Sequence, residues 1–197
     1  MADKLLKNHN IGKGDFIVGL GIGAAESVKE RMWPKERFAA VADYLIEEYN
    51  ANIIFIGSKE EEGLANETQN LMENKDNSLN LAGKTSIREM FCLISLCKLF
   101  VGNDSGPMHV AAAQGVRTIG LFGCNLPARF APFGKKNVSI RKQSGVPCIN
   151  VHKGEVGKCR YGMENACVKN IEVGDVIRII DKMKDKYLKF LRNGLPI

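Results

Sequence analysis

The stretch Leu99-Phe100-Val101-Gly102-Asn103-Asp104-Ser105-Gly106-Pro107-Met108-His109-Val110-Ala111-Ala112-Ala113-Gln114-Gly115 decides the fold. Its apolar start is a short buried strand, and Pro107 to Gln114 is an Ala-rich helix stopped by Gly115. Only a polar turn joins the two. A strand that runs so directly into a helix is part of a strand-helix-strand unit, and the next strand, Thr118-Ile119-Gly120-Leu121-Phe122-Gly123, follows at once.

Working back from this unit, the same alternation recurs. Asp15-Phe16-Ile17-Val18-Gly19-Leu20-Gly21 is a compact apolar run closed by glycines, hence a strand. From Pro34, residues Phe38, Val41, Ala42, Leu45 and Tyr49 share one helical face, which ends near Asn50. Asn52-Ile53-Ile54-Phe55-Ile56-Gly57 is a second strand, and Glu60 to Asn74 a helix with acids at its positive end. Leu79 to Gly83 is a short strand. Ser86 and Glu89 then form a capping box, ahead of a stripe of Ile87, Met90, Phe91 and Ile94 expected to be buried. Val173 to Leu191 closes the chain as a helix with Val176, Ile179, Ile180, Met183, Tyr187 and Phe190 inward and lysines outward. Residues 143–170 lack periodicity and read as an irregular loop containing cysteines. The rhythm implies an α/β fold, a doubly wound, Rossmann-like parallel sheet with helices on both faces and ligands at the carboxyl ends of its strands. No internal repeat or linker divides residues 1–197, which are expected to form one domain.

Composition narrows the function. With 28 Lys+Arg against 22 Asp+Glu, the net charge is +6, and 45% hydrophobic and 25% charged residues are globular values. Aromatics are only 7% and the cations form no dense block, which favours phosphorylated small molecules over nucleic acid. No apolar run can span a bilayer, and the first residues lack the apolar core of a signal peptide, so a cytoplasmic protein with reduced thiols is expected.

The turn Asn103 to Gly106 is the strongest chemical signal. Backbone N–H groups at a helix start, the helix dipole, the Ser105 hydroxyl and the open approach at Gly106 all suit a phosphate, with Asp104 and His109 beside it. The blander reading is that Asp104 and Ser105 only cap the helix. Gly19-x-Gly21-x-Gly23 invites a nicotinamide-cofactor reading, but the following helix starts only at Pro34 and the second strand ends in Gly57-Ser58-Lys59 without the required acid. The intervening loop instead offers Ser27, Lys29 and Arg31 to phosphate oxygens. Cys148, His152, Cys159 and Cys167 could hold zinc, yet they lack a Cys-x-x-Cys pair, and thiols or a disulfide are favoured over a metal. Trp33 reads as a packing residue rather than a sugar platform.

Taken in order, Arg31-x-Trp33-Pro34-x-Glu36-x-Phe38, Ile56-Gly57-Ser58, Leu81-Ala82-Gly83-Lys84-Thr85-Ser86, Gly102 to Pro107 with His109 and Ala111-Ala112-Ala113, and Leu121-Phe122-Gly123 ahead of Pro127-x-Arg129 form a set. Over residues 16 to 180 it resembles the carboxyl-terminal half of glycosyltransferase family nine, the lipopolysaccharide heptosyltransferases. The resemblance implies one half of a two-domain GT-B-type enzyme, binding a nucleotide-sugar donor, ADP or an ADP-sugar, while an amino-terminal domain absent from this chain binds the glycan or lipid-linked acceptor. It implies that Asp104, Ser105, Gly106 and His109 line the donor diphosphate with Ser27 beside it. Arg31 stands where the family usually has lysine, which keeps the charge but alters its geometry. Glu60 or Glu61 would accept from the ribose hydroxyls, since carboxylates suit a vicinal diol. No metal or other cofactor is implied, and the general base is expected in the missing domain, leaving the isolated chain inactive. The basic terminal helix is compatible with contact at the inner face of the cytoplasmic membrane. Two other readings compete: a stand-alone, non-catalytic nucleotide-sugar-binding module, and a nucleotide-sugar epimerase using His109 with Asp104.

Overall fold

The computed structural model describes residues 2–12, 14–24, 31–142, 149–150, 155–156 and 166–192, with side chains of the last helix described up to residue 183. Six parallel strands form the sheet: β1 (Ile17–Gly21), β2 (Asn52–Phe55), β3 (Ser78–Asn80), β4 (Leu99–Asn103), β5 (Arg117–Leu121) and β6 (Val138–Ile140), in the order β3-β2-β1-β4-β5-β6. The helices are α1 (Ala2–Lys7), α2 (Lys35–Tyr49), α3 (Glu62–Asn70), α4 (Ile87–Leu96), α5 (Gly106–Ala113), α6 (Pro127–Phe130), α7 (Ala166–Lys169) and α8 (Val173–Arg192). A two-residue antiparallel pair, β7 (Ile149–Asn150) with β8 (Glu155–Val156), lies in the stretch expected to be irregular, as does α7. The fold is the expected Rossmann-like α/β arrangement.

Alternation along the strands sorts the two layers. Val18, Leu20, Ile53, Phe55 and Val101 meet Phe38, Val41 and Leu45 of α2 and Val176 and Ile180 of α8. Ile17, Ile54 and Phe100 meet Leu6 of α1, Leu93 and Ile94 of α4, and Met108 and Ala111 of α5. Both central strands are buried on both faces, which is why they read as continuous apolar runs rather than alternating ones. Two phenols bind α2 to α8, Tyr44 and Tyr49 each donating to Asp181 Oδ1 at 2.8 and 2.5 Å.

Two details differ from expectation. Polar residues dominate the start of the chain, yet α1 forms there because Leu6, only 3% exposed, reaches the α4 layer. In α4 the buried face is rotated from the expected stripe: Leu93 and Ile94 are buried, Ile87 is 71% exposed and Phe91 lies on the surface. Ile87 occupies the first position of the helix, where it overhangs a cleft instead of the sheet.

The glycines of β1 answer to packing. A Cβ at Gly19 would stand 2.7 Å from the Phe100 ring and one at Gly21 would stand 2.9 Å from it. Phe100 thus lies flat across two side-chain-free positions of the neighbouring strand. Gly19→Ala is expected to destabilise the protein by about 1–3 kcal/mol through this overlap, and Phe100→Leu in the same chain should return part of the loss. Thermal melts of the two single variants and the double variant test this; additive losses would contradict the packing account.

Candidate functional site

The strand order reverses between β1 and β4, and the carboxyl ends of these strands open the crevice that such sheets use for ligands. Asn103 ties the crevice together. Its side chain is fully buried, its Oδ1 accepts from the Trp33 backbone N–H at 3.0 Å, and its Nδ2 donates to the Ile22 carbonyl at 2.7 Å. The exit of β1 and the approach to α2 are therefore fixed to the tip of β4. Trp33 itself is a packing residue, as expected, 2% exposed and edge-on to Phe38, with Nε1 donating to the Ile171 carbonyl at 2.8 Å.

Next in the chain, the Asp104 carboxylate is 4% exposed and surrounded by donors. Arg31 Nη1 stands 3.6 Å from Oδ2 and also donates to the Asp104 carbonyl at 3.4 Å, His109 Nε2 stands 3.7 Å from Oδ1, and Asn125 Nδ2 donates to Oδ2. A buried anion placed here does not attract a diphosphate. It holds the Arg31 guanidinium and the His109 imidazole in place. His109 keeps 45% side-chain exposure and Arg31 23%, so both remain within reach of a ligand while Asp104 does not.

The helix start completes the arrangement. Neither residue of the blander reading caps α5: Ser105 makes no side-chain cap bond, and the Asp104 carboxylate is engaged with Asn125 and Arg31. Beyond its own chain neighbours and the helix backbone, no atom lies within 4 Å of where a Gly106 side chain would begin, so the start of α5 faces open space there. Ser105 and Gly106 line a cleft of about 860 Å³, together with Glu60, Glu61 and the apolar Ile87 and Met90.

Glu61 is set into this cleft. Ser58 N–H donates to its Oε2 at 2.6 Å, and the carboxylate lies against two glycines. A Cβ on Gly23 would fall 1.8 Å from Oε1 and one on Gly57 2.4 Å from Oε2, so both positions must lack side chains for the carboxylate to sit there. Glu60 is exposed at the cleft edge, and hydrogen bonds from its own backbone N–H and from Ser58 hold its carboxyl below the usual carboxylate range. The geometry thus separates the two acids that the sequence offers as equivalents.

Ser27 lies outside the described residues, as do Cys148, His152 and Cys159. Cys167 is a free, half-buried thiol, and among the described residues no group of three His, Cys, Asp or Glu side chains converges on a metal position. Sequence reasoning missed Asn125, and it gave no partner to Asn103 in the polar turn or to Cys124 beside the expected cleft. In a single sequence Asn125 is indistinguishable from an ordinary loop residue; the one available signal was its place just past the apolar run Thr118 to Gly123. Burial pushes the Cys124 thiol up to about 11 against the opposing pull of neighbouring Arg31, and burial pushes Cys97 up to about 12. Iodoacetamide at pH 8 is accordingly expected to alkylate exposed Cys92 while sparing Cys97 and Cys124 until the protein is unfolded, as peptide mass spectrometry would show.

A family model described as Glycosyltransferase family 9 (heptosyltransferase) matches residues 6–157. The chain belongs to glycosyltransferase family 9. This family 9 chain is 36% identical to lipooligosaccharide heptosyltransferase 2 of Haemophilus influenzae over 141 residues, 71% of this chain and 40% of that protein. It is 29% identical to lipooligosaccharide heptosyltransferase 2 of Campylobacter jejuni serotype O:6 over 182 residues, 91% of this chain and 53% of that protein. Among solved structures, a glycosyl transferase family 9 protein from Veillonella parvula superimposes with a TM-score of 0.78 at 26% identity, over 92% of this chain and 49% of the other. The E. coli ADP-heptose lipopolysaccharide heptosyltransferase II gives a TM-score of 0.75 at 24% identity, over 92% and 50%. The chain spans about half the length of the relatives it matches, or less.

Proposed function

We propose that this chain is the donor-binding half of an inverting glycosyltransferase, moving heptose or a related sugar from an ADP-sugar to a lipopolysaccharide-type glycan. The observation that carries the reading is the pairing of Arg31 and His109 around buried Asp104, beside the open first turn of α5. That is a seat for a diphosphate at the switch point of the sheet, made of one fixed cation, an imidazole and a helix start. Likeness to proteins named as heptosyltransferases, one of them an ADP-heptose enzyme, supports the choice of sugar and nucleotide.

In this reading Arg31, His109, Ser105 and the N–H groups of α5 receive the diphosphate, with Ser27 beside them, and Glu61 rather than Glu60 takes the ribose hydroxyls from its seat between Gly23 and Gly57. An acceptor hydroxyl attacks the anomeric carbon from the face opposite the diphosphate. The bond from that carbon to the phosphate oxygen breaks, and the negative charge gathering on the departing diphosphate is met by groups already in position. The hydroxyl's proton passes to a general base held by an acceptor domain outside this chain. The isolated chain therefore binds donor without turning it over. Contact with the inner face of the cytoplasmic membrane fits a lipid-linked acceptor; among the described residues no helix is long and apolar enough to cross a membrane.

Calorimetric titration with ADP, UDP and GDP tests the reading. Saturable binding of ADP, with UDP and GDP at least about tenfold weaker, is expected. Absence of ADP binding at millimolar concentration by demonstrably folded protein would contradict it. Conversion of a free nucleotide sugar by the chain alone would instead favour an epimerase.

A further inference from the structure

Two buried polar atoms of the described residues have no partner: Arg31 Nε and Asn125 Oδ1. They belong to side chains that both approach the same oxygen, Asp104 Oδ2, Arg31 with Nη1 at 3.6 Å and Asn125 through a hydrogen bond from Nδ2. Asn125 is 2% exposed. Its amide orientation is fixed by chemistry, because a carboxylate only accepts, so the nitrogen must face Asp104 and the carbonyl oxygen is left over. One unsatisfied atom is a donor and the other an acceptor, and both flank a single carboxylate. Buried polar groups are ordinarily paired, and leaving two unpaired costs the full desolvation of each.

The identity of the missing partner follows from this asymmetry. A phosphate oxygen accepts from Arg31 Nε but has nothing to donate to Asn125 Oδ1. An ammonium donates but cannot accept. A hydroxyl does both at once. The strand order then says which hydroxyl. Glu61 sits among the tips of β1 and β2, the diphosphate seat lies after β4, and Asn125 follows β5 on the far side. A nucleotide sugar laid across the sheet with its ribose at Glu61 and its diphosphate at α5 extends its sugar toward Asn125.

We propose that Asn125, together with Arg31, binds one hydroxyl of the donor's sugar and so selects the sugar that this chain accepts. The hydroxyl donates to Asn125 Oδ1 and accepts from Arg31 Nε; both atoms are closed to solvent in this structure, so the partly exposed Arg31 side chain shifts to admit it. This inference rests on the donor-site reading above, but it assigns a role to a residue that the reading does not need. It also places sugar recognition in the turn after β5 rather than in the turn before α5.

The test uses the whole chain and two probes, ADP and ADP-heptose, titrated calorimetrically. The measured quantity is the ratio of the two affinities, which a general weakening of the diphosphate seat leaves unchanged. In Asn125→Leu, which can neither accept nor donate, the ratio is expected to shift against ADP-heptose by about tenfold. In Asn125→Ser, whose hydroxyl can donate to Asp104 and still accept, the shift should stay under about threefold. A ratio unaltered in folded Asn125→Leu overturns the proposal and leaves Asn125 as a structural prop. Should that variant not fold, monodeoxy analogues of ADP-heptose with the unaltered chain decide: one analogue should bind about tenfold more weakly than the others, and uniform binding across the series overturns the proposal. No ADP binding by the folded chain removes the donor-site reading itself, and this inference with it. ADP binding with an insensitive sugar removes the inference alone.

Discussion

Asp104→Ala and Arg31→Ala are each expected to weaken ADP binding by about 10- to 100-fold, and the double variant by little more than either alone. The two expectations share one cause. Asp104 is 4% exposed and cannot itself meet a ligand, so its contribution passes through the groups it holds. A carboxylate near a diphosphate also repels it, and removing that charge works in favour of binding. Positioning outweighs repulsion here because the Arg31 guanidinium at 3.6 Å already offsets most of the carboxylate's charge. Without the carboxylate, Arg31 keeps only its bond to the backbone carbonyl of residue 104, so more of its ordering must be supplied by the ligand, and Asn125 Nδ2 loses its acceptor in a buried place. Residues that act as one unit give coupling energies in double-mutant cycles, whereas independent phosphate contacts multiply. Calorimetry on the four proteins separates the cases. Full additivity would mean that Asp104 touches the ligand independently of Arg31.

Trp33→Ala should lower stability by about 3–5 kcal/mol, the usual cost of truncating a fully buried large aromatic. For a chain of this size that corresponds to a fall in melting temperature of roughly 10 °C. The indole fills the space between Phe38 and the segment before α8, and its Nε1–H is held by the Ile171 carbonyl. Trp33→Phe should cost much less than Trp33→Ala, because that carbonyl also accepts from Arg37 Nη1 at 2.5 Å and does not become an orphan when the indole N–H is lost. A melting experiment on both variants tests the ordering. Trp33 is also two residues beyond Arg31, and its own N–H is bonded to Asn103. The alanine variant should therefore weaken ADP binding several-fold even at temperatures where it remains folded.

How much of this was legible in the sequence depended on whether a residue's partner lay nearby. The unit β4-turn-α5 could be read directly, since an apolar strand, a polar turn and an Ala-rich helix start are all local signals. The capping box at Ser86 and Glu89 was equally local, and Glu89 N–H donates to the Ser86 hydroxyl at 3.3 Å as the spacing requires. The α4 stripe failed at Ile87 because periodicity gives a face but not the rotation of that face against a sheet. Asn125 meets Asp104 only after β5 has returned beside β4, a contact that no spacing announces. The glycines in and just after β1 invited a cofactor reading because sequence shows that a side chain is missing, never what occupies its place: Phe100 beside Gly19 and Gly21, and the Glu61 carboxylate beside Gly23.

The bond from Asn103 to the Ile22 carbonyl spans 81 residues of chain, and it has a consequence during synthesis. β1 is one of the two central strands in position but the first to be made, and its neighbour β4 comes only after β2, β3 and three helices. At about 5–20 residues per second, a ribosome leaves one edge of β1 bare for several seconds, an apolar ribbon with unpaired N–H and C=O groups. Until then Ile17, Val18 and Leu20 are exposed to any passing strand, and a chaperone that covers this ribbon protects the nascent chain at its most vulnerable point.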